Sequence, residues 1–115
     1  KEFQSFEIIT PINKMTSETL IDSILANESE LINTIPKSIN VLEENILLKA
    51  KFYEGDLLMV TLSVNDSYWK VNPTQWHKLF TLLTDQEYKI TSQDTSFEMK
   101  VDWYEKIERF KKMNF

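Results

Sequence analysis

The chain has 115 residues with 13 basic and 18 acidic side chains, a formal net charge of −5, 12% aromatics, one glycine and no cysteine. That length suits a single domain over residues 1–115, and an apolar content of 42% is too rich for disorder. Lack of cysteine excludes disulfides and thiolate chemistry, a lone glycine excludes Gly-rich phosphate loops and nucleophile elbows, and a single arginine in an acidic chain argues against nucleic-acid or anionic-lipid binding.

The chain begins at Lys1, which fits a signal or anchor removed upstream, and the compartment stays unassigned. Phe3, Phe6, Ile8 and Ile9 ahead of Pro11 read as a first strand. From Thr16 to Ile35 the period becomes helical, with Leu20, Ile21, Ile24, Leu25, Leu31, Ile32 and Ile35 on one side. Thr16 or Ser17 caps its start, and Pro36 marks its end. Glu28 would fall inside that apolar stripe, so two helices or one bent helix is expected, the second opened by the capping-box pair Asn27 and Glu30.

Two alternating runs, Ile46 to Tyr53 and Leu57 to Val64, flank Gly55 and read as an antiparallel hairpin with the glycine in its turn. Tyr68 to Val71 is expected as a further strand. Asn72-Pro73-Thr74-Gln75 then starts a helix carrying Trp76, Leu79, Phe80 and Leu83 on one face. A strand with Tyr88 and Ile90 inward and an alternating run of Phe97, Met99 and Val101 follow. A last helix opens at Asp102 and Glu105, with Trp103, Ile107 and Phe110 inward and Lys111 and Lys112 in its last turn. The resulting expectation is an α+β domain: a mostly antiparallel sheet with helices on one face, in the ferredoxin-like order βαββαβ with an extra strand and a C-terminal helix.

No constellation in the chain carries obvious chemistry. His77 is the only histidine, and no spacing brings an acid, a serine or a metal to it. One histidine cannot furnish a transition-metal shell. The carboxylate pairs Glu18 with Asp22, Glu43 with Glu44, and Glu105 with Glu108 read as solvated surface rather than an acid–base pair. No cofactor is expected.

The sequence points instead to recognition of another protein, or of a second copy. Leu47, Tyr53, Leu57 and Met59 fall on the second face of the expected hairpin, with Tyr68 and Trp69 close by, which makes that face more apolar than a solvated sheet needs. Thr16 to Ile35 carries Glu18, Asp22, Glu28 and Glu30 and no basic residue, a surface suited to steering a cationic partner. The expected function is a non-catalytic interaction module of the small-subunit, inhibitor or immunity-antagonist kind. The alternative is an apolar-ligand domain with a pocket between sheet and helices lined by Phe52, Trp69 and Trp76. An enzyme centred on His77 ranks last.

Overall fold

The computed structural model describes residues 16–113 and 115, and the strand expected over residues 2–10 lies outside them. The described chain is helical: α1 (Ser17–Ala26), a 3-10 turn (Glu28–Glu30), α2 (Leu31–Glu44), α3 (Asp56–Leu62), α4 (Asp66–Val71), α5 (Pro73–Asp85), α6 (Glu87–Ser92) and α7 (Phe97–Lys111). Helices α1, α2 and α3 pack on one another, α2 and α3 reach α5 and α7, and α5 also contacts α4, α6 and α7. The α+β expectation is therefore corrected. Among the described residues the only β pairing is an isolated bridge between Lys49 and Glu54.

The α1–α2 elbow follows the expected break at Asn27. The Thr16 side chain accepts from the Thr19 amide at 3.2 Å and starts α1, which buries Leu20, Ile21 and Ile24. Asn27 makes no side-chain cap; its Oδ1 accepts from the Ser29 hydroxyl instead, and the α-helix proper begins at Leu31. Pro36 does not end α2. The buried stripe of Leu31, Ile35, Ile39 and Leu42 continues past it at helical spacing, so burial overrides the one amide hydrogen bond that proline lacks.

The segment expected as a hairpin is a loop followed by a buried helix. Leu57, Leu58, Met59, Thr61 and Leu62 are all buried, so α3 is enclosed on nearly every side. A helix apolar all round carries the same residues as a strand apolar on both faces, and length and context decide between them. What decides here is Asp56. Its carboxylate, 1% exposed, accepts the amides of Ala50, Lys51, Phe52 and Tyr53 at 2.8, 2.8, 2.6 and 3.4 Å. Those amides are taken up by one side chain and leave no ladder for a partner strand. Gly55 is left-handed, at φ 84°, yet it precedes α3 rather than turning a hairpin.

The remaining expected strands are helical for related reasons. Asn65 Oδ1 accepts from the Ser67 amide at 2.9 Å and opens α4, which holds Tyr68 to Val71. Tyr88 and Ile90 lie on α6, with Ile90 buried and Tyr88 exposed. Helix α7 begins five residues before Asp102, with Ser96 accepting from the Met99 amide at 3.1 Å; Asp102 pairs along the helix with Lys106 at 2.7 Å. Pro73 occupies the first position of α5 as expected, while Asn72 donates from its side chain to the Tyr68 carbonyl instead of capping.

Between the helices lie Trp69, Trp103 and Phe110, all fully buried. Trp69 meets Phe110 edge-on at 5.0 Å, Trp76 stacks on Phe110 at 5.7 Å, and Trp76 Nε1 donates to the Phe110 carbonyl at 3.1 Å. Ser38 and Thr61 form a buried hydroxyl pair at 2.7 Å that ties α2 to α3. Thr61 gives its proton to the Leu57 carbonyl at 2.8 Å, so Ser38 is the donor of that pair.

Two tests follow from the loop and its glycine. A Cβ at residue 55 would lie 3.1 Å from Trp103 Nε1 and 3.3 Å from Leu47 Cδ2, on a backbone that L residues rarely adopt. Gly55→Ala is expected to lower stability by about 1–3 kcal/mol, read from urea denaturation. Burial pushes the Asp56 pKa up, but the four amide hydrogen bonds together outweigh it and hold the carboxyl below its ordinary value. Stability from that depression is complete above the unfolded pKa of about 3.9 and is lost as pH falls through the lower folded value. The urea midpoint should therefore drop below about pH 4, by less in Asp56→Asn than in the wild type.

Candidate functional site

Helical geometry places Glu18, Asp22 and Leu25 within about 60° of one another on the side of α1 away from its core residues. All three are exposed, Leu25 to 66%. They form a stripe of two carboxylates and one leucine, widened at both ends by neighbouring segments.

At the first end the Asp56-bound loop comes against α1. Lys51 Nζ donates to Asp22 Oδ1 at 2.7 Å. That hydrogen bond raises the lysine pKa, desolvation opposes it, and the charges of Asp22 and Glu18 add to the rise. The same ammonium lies 5.3 Å from the centre of the Phe52 ring, within cation–π range. Phe52 is 62% exposed.

At the other end, a groove of about 470 Å³ runs between the elbow and the end of α3, lined by apolar Ile24, Leu25, Leu31, Val60 and Val64. Glu28, Ser63 and Asn65 supply its polar edge. Glu30 stands in the same 3-10 turn and accepts from Asn33 Nδ2 at 3.2 Å. Ile32, 65% exposed, begins the outer side of α2 beside them. Glu18, Glu28 and Glu30 have no basic neighbour within the segment Thr16 to Ile35, and Lys51 reaches Asp22 alone, so the α1 side carries a net negative charge.

The apolar residues expected on a sheet face are not on this surface. Leu47, Leu57, Met59 and Trp69 are buried, at 7, 0, 2 and 0% exposure, because the helices that replace the sheet enclose them. Tyr53 and Tyr68 are half-buried. Burial, and then the charges of Asp102 and Asp56, raise the Tyr53 pKa; burial lifts that of Tyr68 to about 12. Both phenols stay neutral at physiological pH. The expected pocket has no counterpart either, since Trp69 and Trp76 sit in the aromatic core while Phe52 faces outward. His77 is exposed, edge-on to Trp76 at 4.8 Å, with Nε2 3.1 Å from the Phe115 carbonyl oxygen. No carboxylate or hydroxyl approaches it among the hydrogen bonds of the described residues.

Leu25 and Ile32 share the helical apolar period of core residues in the sequence, and Phe52, expected to line a pocket, stands outward instead. A signal for Leu25 was present: it recurs three residues after Asp22 and seven after Glu18, on the polar side of its helix.

Among the described residues the protein is a set of packed helices with an acidic, partly apolar outer surface on α1 and the elbow that follows it. Residues 7–79 match the family model described as CDI immunity proteins, and the chain belongs to that family. An immunity protein of this kind binds a partner protein, the toxin. No curated protein matches the chain, and no solved structure does.

The burial pattern separates core from surface experimentally. Trp69→Ala is expected to cost about 3–5 kcal/mol in stability, whereas Leu25→Ala should change it by less than about 0.5 kcal/mol; thermal denaturation of the two variants checks both.

Proposed function

We propose that this immunity protein holds its toxin through the α1 stripe of Glu18, Asp22 and Leu25 and the adjoining groove edged by Glu28 and Glu30. The observation that carries this reading is the coincidence of unbalanced negative charge with exposed apolar side chains on one continuous surface. Charge steers the encounter and fixes the register, while apolar contact supplies slow dissociation. The complementary toxin surface is basic, with an apolar ridge that enters the groove. A second copy of this chain is a poor occupant, because two surfaces of like charge repel.

The chemistry needed is occlusion rather than catalysis. A bound immunity protein inhibits by covering whatever its partner must expose, and no residue of this chain has to react. The test is calorimetric titration of the full chain with the cognate CDI toxin domain, meaning the toxin whose growth arrest this chain relieves. Glu18→Lys with Glu28→Lys should weaken binding at least ~10-fold at low salt, a change of about 1.4 kcal/mol. The gap between variant and wild type should shrink in 0.5 M salt, where the Debye length is a few ångströms. Unchanged affinity in a folded double variant would place the toxin elsewhere on the molecule.

A further inference from the structure

The loop between α2 and α3 is more tightly organised than a connecting segment requires. One carboxylate takes four consecutive amides, Ala50 to Tyr53, and the next two residues are fixed as well. The Gly55 amide donates to the carbonyls of Leu47 and Leu48 at 3.1 and 3.3 Å, and Glu54 Oε2 accepts from Gln93 Nε2 at 3.0 Å. Lys51 is tied to Asp22 and lies near the Phe52 ring. Within this frame Leu47 and Leu48 turn inward, whereas Phe52 stands 62% exposed.

We infer that Phe52 is the aromatic anchor of the toxin interface and that Asp56 is its positioning residue, holding the loop in the bound shape before the partner arrives. This deepens the toxin-binding reading above and rests on it. The partner feature that fits is an apolar pocket in the toxin surface beside the cations that face Glu18 and Asp22. The loop is continuous with the α1 stripe through the Lys51–Asp22 contact, so the ring borders the charged patch rather than forming a separate site. Anchors of this type combine a large rigid ring with surroundings that do not move on binding. A loop ordered by its own hydrogen bonds loses little freedom on association. Asp56 itself, 1% exposed, lies beneath the surface and acts through the loop it holds, chiefly through Phe52.

The experiment is a double-mutant cycle with the full chain and the same cognate toxin domain, together with hydrogen exchange of the free chain. Phe52→Ala should leave the melting temperature unchanged and weaken toxin binding about 30-fold, the size expected of an interface hot spot. Asp56→Asn presents an NH2 group to amides that need an acceptor. It should speed exchange at Ala50 to Tyr53 and weaken binding about 10-fold, while α1 and α2 remain protected. In the Phe52→Ala background the Asp56 substitution should cause less than about a 3-fold further loss, because its main route to the toxin has been removed and only the Lys51–Asp22 link remains. Asp56→Glu, which keeps the charge and displaces the oxygens, provides the same comparison if Asp56→Asn does not fold.

Phe52→Ala binding as tightly as wild type overturns the anchor. An equal effect of Asp56→Asn with and without Phe52 overturns the positioning role and leaves Asp56 purely structural. Failure of the wild-type chain to bind the toxin overturns the toxin-binding function itself, which separates that outcome from the other two.

Discussion

A buried carboxylate next to a left-handed glycine organises the middle of this protein. Asp56 sits on the first turn of α3, where a negative charge suits the helix dipole, and reaches back to the amides of the preceding loop. Charge-assisted hydrogen bonds of that kind are roughly twice as strong as neutral ones, and four of them converge on one group. Without them, four loop donors beside the core would need other partners, and α3 would lose the contact that fixes where it begins. The α3 register in turn determines which residues meet Ser38 on α2 and Trp103 on α7.

This constraint links the core to the surface. Gly55 lies so close to Trp103 and Leu47 that a Cβ there would have to push a neighbour by a few tenths of an ångström, which keeps the loop against α7. Lys51, held in the same loop, reaches α1 and meets Asp22 at the surface. That ion pair is exposed, and pairs of its type contribute little to stability. Its consequence is geometric: it joins a loop built around a buried group to a helix whose outer side is acidic. The surface proposed for the toxin is thereby assembled from segments far apart in sequence, with positions set by packing rather than by the surface residues themselves.

Much of the helical structure was legible in the residues. The Thr16 cap, the break at Asn27 and Pro73 at a helix start are local signals that need nothing distant to act. The segment from Ile46 to Val64 was not. Its alternation is genuine, but both alternating sets are apolar, and a fully enclosed helix satisfies that composition as well as a strand does. A glycine at positive φ serves a helix entrance as readily as a hairpin turn, and the use of Asp56 as a loop acceptor is invisible in a pattern of apolar and polar residues. On α7 the spacing of Met99, Trp103, Ile107 and Phe110 ran through the expected strand and carried the correct period. Glu18, Asp22, Glu28 and Glu30 were readable as surface because a carboxylate enters a core only where hydrogen-bond donors converge on it, as they do on Asp56. Leu25 and Phe52 were hidden by the reverse presumption, since outward-facing apolar residues are recognised only once the core has been filled by others.

Asp56 grips main-chain N–H groups, which every amino acid except proline supplies. The Phe52 amide is held whatever side chain residue 52 carries, whereas Ala50 and Tyr53 also pack against the core and Lys51 meets Asp22. Position 52 can therefore change its side chain while the scaffold beneath it keeps its shape, so that the outward chemistry of the loop is separable from the folding of the interior.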